Sequence, residues 1–279
     1  MLRIIADSTC NLPPEWLEEH AVRIAPISIQ FGNQAFDEDI TIDRETFYRK
    51  VDEMQIIPTT SQPSPAWFSR YYQEAVDAGL PCLVITVTAK HSGTYQSALL
   101  AKSMVPGADV EVFDSASISL GTGMMVQEAV QANHAGQDRA SILERLQAIR
   151  ARSHLFLTPA TLKYLQMSGR VGKLQGALAS LLNVKPIISV KDGLLEAGEN
   201  IRTRGKAVER ILELAEQAVG RVDPVHLAVI HARAPEEARE LLRRVEGRLR
   251  CIQTLTGDLV SSLAVHGGPG VIGLAVYRD

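Results

Sequence analysis

Two short polar motifs in this 279-residue chain have the residue types needed to hold a small anionic group. Residues 91–94, His-Ser-Gly-Thr, follow the apolar run 83–88, and residues 266–270, His-Gly-Gly-Pro-Gly, precede the strand-like run 271–277. In α/β sheets, ligands usually bind at the ends of the strands. Hydroxyls, glycine backbone and one histidine at such ends predict a site for an anionic head group.

The first motif combines a hydroxyl with the start of a predicted helix. If 83–88 is a strand and a helix begins near Tyr95, then Ser92 and Gly93 lie at the helix N-terminus. The free backbone N–H groups and the positive end of the helix dipole favour an anion there. The alternative is that Ser92 and Thr94 only cap the helix, and the tripeptide alone is compatible with both interpretations.

Two further stretches add candidate ligand groups. Residues 60–64 are rich in hydroxyls, which makes Thr60 and Ser61 candidate donors, although the same stretch is typical of a capped turn into a helix. His266 follows an apolar, strand-like run, and glycines such as Gly267 beside it allow backbone to approach a ligand. A histidine with a structural role is the alternative.

Composition excludes several classes of protein. The net charge is -3 and charged residues of both signs are mixed along the chain, which argues against a nucleic-acid partner and a polybasic membrane anchor. Three scattered cysteines fit neither a disulfide framework nor a zinc site, and no signal peptide or membrane span is evident. No nucleotide motif fits. We therefore expect a cytoplasmic protein without metal or cofactor, with at most transient membrane contact.

Alternating short apolar runs and helical patterns predict an α/β domain with a parallel sheet in residues 1–155. The predicted strands are 2–6, 22–29, 83–88 and 110–113. The predicted helices are 65–78, with Ser64 as N-cap, 97–104, 124–135 and 142–149, the last with Ser141 as N-cap and Glu144 in a capping box.

Residues 156–279 predict a second domain of α+β type. A cleft between the two domains is the default binding site. The predicted elements are a helical stretch at 170–182, strands at 185–190, 193–203, 225–231 and 250–255, and helices at 208–219 and 235–247.

Five segments taken together resemble the DegV family of bacterial fatty-acid-binding proteins. They occur in the family's order and span nearly the whole chain. They are residues 5–12 (Ile-Ala-Asp-Ser-Thr-Cys-Asn-Leu), residues 60–64, residues 92–98, residues 168–170 with 185–187, and residues 266–270.

The resemblance implies a two-domain α/β protein with a long-chain fatty acid, such as palmitate, in a tunnel between the domains. The carboxylate would be held by Thr60 or Ser61 and by Ser92, with His266 beside it. The backbone of Gly93 and Gly267 would line the same site.

The resemblance also implies a role without a catalytic residue in this chain. In some bacteria such a protein presents its acyl group to an ATP-dependent fatty acid kinase, which links it to phospholipid metabolism. Arg170, Arg202 and Arg204 are then candidates for docking the kinase or contacting phosphate, because guanidinium groups suit both. A solvated surface is the alternative for these arginines.

Two other functions stay open from the sequence. A serine hydrolase or acyltransferase would use Ser92 as nucleophile, His266 as base and Asp7 or Asp114 to orient it. Ser92 lacks the G-x-S-x-G spacing of a nucleophile elbow. A lipid-responsive regulatory protein is the other alternative.

Overall fold

The structure is a computed structural model that describes residues 1–170 and 184–279. The chain divides into two compact units, residues 1–151 with 260–262 and residues 152–259 with 263–279. The helix predicted at 170–182 lies outside the described residues except for Arg170. Within the described ranges, no helix combines the length and the apolar character needed to cross a bilayer.

The first unit alternates strands and helices, with one 3-10 turn at Ser8–Cys10. In chain order its elements are β1 (Arg3–Asp7), α1 (Pro14–Glu19), β2 (Arg23–Ala25), β3 (Ser28–Phe31), β4 (Gln34–Asp37), α2 (Arg44–Met54), β5 (Thr59–Ser61), α3 (Pro65–Asp77), β6 (Cys82–Thr86), α4 (Thr94–Met104), β7 (Val110–Asp114), α5 (Leu120–His134) and α6 (Arg139–Arg152).

The central sheet of this unit is parallel, in the order β2-β1-β6-β7. Its central strand β6 is buried at every position, because an inner strand of a parallel sheet is covered on both faces. Ile5 and Val84 pair across the sheet and are completely buried. They pack with Phe68 and Tyr72 of α3 and Ala98 of α4. The predicted parallel sheet is confirmed.

The predicted strand 22–29 is wrong in one respect, because it consists of two strands in different sheets. β2 belongs to the parallel sheet, whereas β3 pairs antiparallel with β4 and β5. Pro26 lies between the two strands. Since proline cannot donate a backbone hydrogen bond, it interrupts the ladder at this point.

The predicted start of α6 is also wrong. The helix begins at Arg139, and the Asp138 carboxylate accepts the backbone N–H of Ser141 at 2.8 Å. Asp138 therefore caps the helix in place of Ser141, and this hydrogen bond lowers the pKa of Asp138.

The second unit is of α+β type, as predicted. Its six-stranded sheet has the order β10-β9-β8-β13-β11-β12, and within it β11 and β12 run parallel. Its elements are β8 (His154–Thr158), α7 (Lys163–Met167), β9 (Lys185–Lys191), β10 (Leu194–Ile201), α8 (Arg204–Val219), β11 (Pro224–His231), α9 (Pro235–Glu246), β12 (Arg250–Asp258), α10 (Ser261–Gly267) and β13 (Ile272–Arg278). The first two residues of α10, Ser261 and Ser262, are grouped with the first unit, and the rest of the helix belongs to the second.

Helices α8 and α9 cover this sheet with leucine and isoleucine. Ile211, Leu212 and Leu241 are completely buried against Val229 and Leu274 of the strands. The helical spacing of these side chains in the sequence produces one apolar face on each helix. Before His266, the structure has helix α10 where the sequence predicts a strand-like run.

Candidate functional site

The loop that carries Ser92 starts at the carboxyl edge of the parallel sheet and is held by both neighbouring strands. The Asp7 carboxylate at the end of β1 accepts the backbone N–H of Val87 at 2.8 Å. The Asp114 carboxylate at the end of β7 accepts the backbone N–H of Ala89 at 3.2 Å. Because parallel strands end at one edge, two carboxylates from different strands can fasten the same loop.

Asp7 is completely buried, and burial raises the pKa of its carboxyl group. Hydrogen bonds from the Thr9 hydroxyl at 2.5 Å and from the Val87 amide act in the opposite direction. Asp7 thus serves as a structural acceptor that organises the edge of the sheet.

Ser92 lies beside the N-terminus of α4. Its hydroxyl is 2.7 Å from the Thr94 hydroxyl and accepts the Thr94 backbone N–H at 3.3 Å. Ser92 therefore contributes to capping. A hydroxyl accepts two hydrogen bonds and donates one. When the Thr94 hydroxyl donates to Ser92, the Ser92 proton can still be given to an acceptor such as a carboxylate.

The second hydroxyl-rich segment lies next to this loop within the first unit. A Cβ atom added to Gly93 would be 2.9 Å from Cδ of Gln62, the residue that follows Ser61. The Ser61 hydroxyl accepts a hydrogen bond from the Gln30 side chain at 3.1 Å, and Thr60 pairs with Ile29 across β3 and β5. The fold thus brings Gln62, which follows the two hydroxyl residues, against Gly93.

His266 and Gly267 belong to the second unit, where they end helix α10. His266 is partly buried. A Cβ atom added to Gly267 would lie 2.9 Å from a methyl group of Val271. A side chain at position 267 would therefore collide with the chain that leads into β13.

The two glycines that follow are needed for packing. Gly268 has φ +74, donates its N–H to the Ala264 carbonyl at 2.8 Å, and lies so close to Tyr164 that a Cβ atom would come within 2.2 Å of the ring. Gly270 has φ +81, and a Cβ atom there would be 2.8 Å from Ala160. Left-handed backbone and close approach both favour glycine.

The three candidate arginines differ in their surroundings. Arg204 binds Glu237 through both of its oxygens, at 2.9 and 2.7 Å, and donates to the carbonyls of Thr158 at 3.0 Å and Gly270 at 2.6 Å. Arg170 donates to the Ser168 carbonyl at 2.7 Å. Arg202 is exposed. The guanidinium of Arg204 is therefore already used within its own unit, where it holds the loop after His266.

A buried carboxylate that sequence reasoning missed lies in the first unit. Glu38 is 1% exposed and accepts three hydrogen bonds, from the Ser8 hydroxyl at 2.5 Å, the Ser262 backbone N–H at 2.5 Å and the Ser262 hydroxyl at 2.7 Å. Burial raises its pKa to about 7. In the sequence Glu38 lies in the acidic run Asp-Glu-Asp, which is typical of a solvated turn.

Asn11 supports the same region. It has φ 62, and its side-chain oxygen accepts the backbone N–H of Val260 at 2.7 Å. No sequence signal pairs residues that are separated by so much of the chain. Among the residues that the structure describes, no group of three or more His, Cys, Asp or Glu side chains is placed to hold a metal ion.

The fold and its loops define a mixed α/β protein with polar groups gathered at strand ends. The family model described as "Uncharacterised protein, DegV family" matches residues 1–279. The chain therefore belongs to the DegV family, and the resemblance seen in the five segments is confirmed. A DegV domain-containing protein of Halalkalibacterium halodurans is 31% identical over 279 residues, which cover 100% of this chain and 99% of the relative.

Two solved structures are similar over their whole length. One, described as showing fatty acid binding of a DegV family protein from Thermus thermophilus, has 32% identity and a TM-score of 0.94, with 100% of this chain and 99% of that chain covered. The other, described as a stearic acid-binding protein from Eubacterium ventriosum, has 33% identity and a TM-score of 0.92, with coverage of 100% and 98%.

Proposed function

We propose that this protein binds a long-chain fatty acid, with the carboxylate held by Ser92, by Thr60 or Ser61, and by His266. The observation that carries this proposal is the similarity to the two fatty-acid-binding relatives, at 32% and 33% identity over the whole chain. Within the first unit, the contact between Gln62 and Gly93 supports a shared role for the two hydroxyl motifs.

The head group needs donors because a carboxylate loses free energy when it leaves water unless its oxygens are fully hydrogen-bonded. Ser92 has a proton to give, and it stands at the N-terminus of α4, an 11-residue helix whose N-cap is Gly93. The positive end of the helix dipole adds favourable electrostatics at that position. Neutral donors and the dipole together can replace water around the carboxylate.

The acyl tail supplies most of the affinity. Burying about 15 methylene groups at roughly 0.8 kcal/mol each yields on the order of 12 kcal/mol, against an association cost of about 4 to 15 kcal/mol. The head-group contacts then set the orientation of the ligand. This division predicts that head-group substitutions weaken binding without abolishing it.

We further propose that the protein presents its bound acyl group to a separate kinase. In that reaction the γ-phosphoryl group of ATP moves to a carboxylate oxygen, and acyl phosphate and ADP are formed. Arg170 and Arg202 are the better candidates for the partner surface, since Arg204 is held by Glu237. No catalytic residue of this chain is required.

The first experiment is native mass spectrometry of the purified protein, followed by denaturing extraction and identification of the released molecule. We expect one long-chain fatty acid per chain. A protein that is empty, refuses added palmitate and oleate, and hydrolyses a chromogenic ester in a Ser92-dependent manner would overturn the proposal in favour of a hydrolase.

The kinase step has its own test. Palmitate-loaded protein, ATP and hydroxylamine are incubated in extract of the source organism, and palmitoyl hydroxamate is measured against extract without the protein. We expect the protein to stimulate hydroxamate formation and Arg202→Ala to reduce it while palmitate stays bound. Arg239→Ala, an exposed arginine on α9, is the control. Equal product with all three proteins would contradict the partner role of Arg202.

A further inference from the structure

The three hydrogen bonds of Glu38 converge on the first turn of α10. Ser262, the second residue of that helix, donates both its backbone N–H and its hydroxyl to the carboxylate. Ser8 donates to the same carboxylate, and its hydroxyl oxygen accepts the backbone N–H of Ile27 at 3.0 Å. One buried carboxylate therefore ties the turn after β1, the segment after β4 and the start of α10.

His266 lies on the same helix. His266 is four positions after Ser262, which is about one helical turn and roughly 6 Å along the axis. In so short a helix, the position of the first turn fixes the position of the last. Asn11 strengthens the anchor, because its side chain accepts the N–H of Val260 directly before the helix.

We propose that Glu38 is a positioning residue for His266, because its carboxylate fixes the first turn of the helix whose last turn carries this histidine. This inference rests on the proposed fatty-acid site. In this proposal Glu38 acts through the helix, since its hydrogen bonds go to Ser8 and Ser262. Its role is to keep the His266 side chain where the proposed head group needs it.

The chemistry of the anchor makes it sensitive to protons. An ionised carboxylate accepts from all three donors, whereas a protonated one carries an O–H that opposes one of them. Burial raises the pKa of Glu38 to about 7, so this change falls in the neutral range. The titratable neighbours are Asp39, whose charge raises the pKa of Glu38, and Cys10 in the turn after β1, whose thiol pKa is raised by burial and by the charges of Asp7 and Glu38.

These neighbouring groups do not replace Glu38 as the acceptor that holds the first turn of α10. Burial raises the pKa of the Cys10 thiol to about 12, so it stays uncharged near neutral pH. Burial also raises the pKa values of Asp7 and Asp39. The carboxylate of Asp7 accepts the backbone N–H groups of Val87 and Thr9.

The test is a double-mutant cycle on palmitate affinity at pH 8, with wild type, Glu38→Gln, His266→Ala and the double variant. Glu38→Gln is expected to weaken palmitate binding about tenfold, the size of one charge-assisted hydrogen bond. In the His266→Ala background the same substitution should have no further effect. An equal loss in both backgrounds would mean a purely structural role and would overturn the inference.

Palmitate affinity measured as a function of pH is a second test, because a purely structural role of Glu38 would not make the effect of Glu38→Gln depend on pH. The ratio of wild-type to Glu38→Gln affinity should fall towards one as pH drops from 8 to 6, because Glu38 becomes protonated. Taking the ratio cancels any other pH dependence that both proteins share. A ratio that stays constant over this range would contradict the proposal.

Two further variants keep the test decisive. If Glu38→Gln does not fold, Ser262→Ala can replace it in the test. This substitution removes the hydroxyl donor and keeps the backbone hydrogen bond to Glu38. It should weaken palmitate binding about threefold when His266 is present and have no effect in the His266→Ala background. An equal loss with and without His266 overturns the inference. Asp39→Asn, the adjacent acid, is the control and should retain wild-type affinity at pH 8.

The outcomes also separate this inference from the proposed function. If wild type binds no palmitate, the proposed function fails. If His266→Ala binds as well as wild type, the assignment of His266 fails and the positioning role fails with it. If His266→Ala weakens binding but Glu38→Gln does not, the proposed function stands and only the role of Glu38 is overturned.

Discussion

The loop that carries Ser92 and the loop that follows His266 are held by different kinds of contact. In the first unit, buried acceptors fasten the chain, with Asp7 bonded to the Val87 amide. In the second unit, Gly268 lies against the ring of Tyr164 in a left-handed conformation. The first kind of contact depends on a hydrogen-bond acceptor, whereas the second depends on the absence of a side chain.

The largest loss of stability is expected when one methyl group is added to the loop that follows His266. Gly268→Ala places a Cβ atom 2.2 Å from the Tyr164 ring at a φ of +74. We expect a loss of roughly 4 kcal/mol in the free energy of unfolding, from overpacking and left-handed strain together. Urea unfolding measures it.

The control for this substitution is Gly205→Ala. Gly205 lies in α8 with no atom within 4 Å of an added Cβ. It should stabilise the protein by about 0.5 kcal/mol, because alanine favours helix. Equal stabilities for Gly268→Ala and wild type would contradict the packing explanation.

Glu38, a second buried carboxyl group of the first unit, should make the stability of the protein depend on pH. The pKa of Glu38 is raised from 4.5 to about 7, so between these values the folded state binds a proton that the unfolded state has released. Its contribution to stability is complete below about pH 4.5 and is lost as pH rises through 7. Relative to Glu38→Gln, wild type should lose on the order of 3 kcal/mol of unfolding free energy from pH 4.5 to 8.

Urea unfolding of both proteins across this range provides the check. The exposed Glu53→Gln variant should run parallel to wild type at every pH. If the Glu38→Gln curve also runs parallel to wild type, the buried carboxyl does not titrate as described.

Arg204→Lys tests how much the hydrogen bonds of Arg204 stabilise the loop after His266. Lysine cannot reproduce the two-pronged contact with Glu237 together with the bonds to the Thr158 and Gly270 carbonyls. We expect a loss of roughly 2 kcal/mol in unfolding free energy. The exposed Arg202→Lys should leave stability unchanged. Normal stability of Arg204→Lys with lost acyl transfer would instead favour a partner-docking role for Arg204.

Ser92→Ala should have the smallest effect on the fold and a specific effect on the ligand. Loss of one hydroxyl donor is expected to reduce palmitate affinity about fivefold to tenfold, on the order of 1 kcal/mol. A fluorescent fatty acid displacement assay measures this. Ser103→Ala, an exposed serine on the same helix, should bind as wild type. Equal affinity of both variants would remove Ser92 from the site.

Several elements were predictable because their signals are local. The continuous apolar run before Ser92 predicted β6, and the proline at the start of α3 and the apolar face of α8 predicted those helices. Errors arose where a single residue redirected the chain, as at Pro26. They also arose at α10, because its short run of Leu, Ala and Val is compatible with either a helix or a strand.

The sequence alone determined the family, the α/β and α+β character of the two halves, and the positions of the hydroxyl and glycine motifs, because each depends on residue types within a short window. Only the tertiary structure decided that Glu38 bonds Ser262, that Asp7 holds the loop of Ser92, and that Gly268 packs on Tyr164. These contacts join residues far apart in the chain. Burial, which raises the pKa of Glu38, is a property of the packed surroundings and has no signature in the acidic run where Glu38 lies.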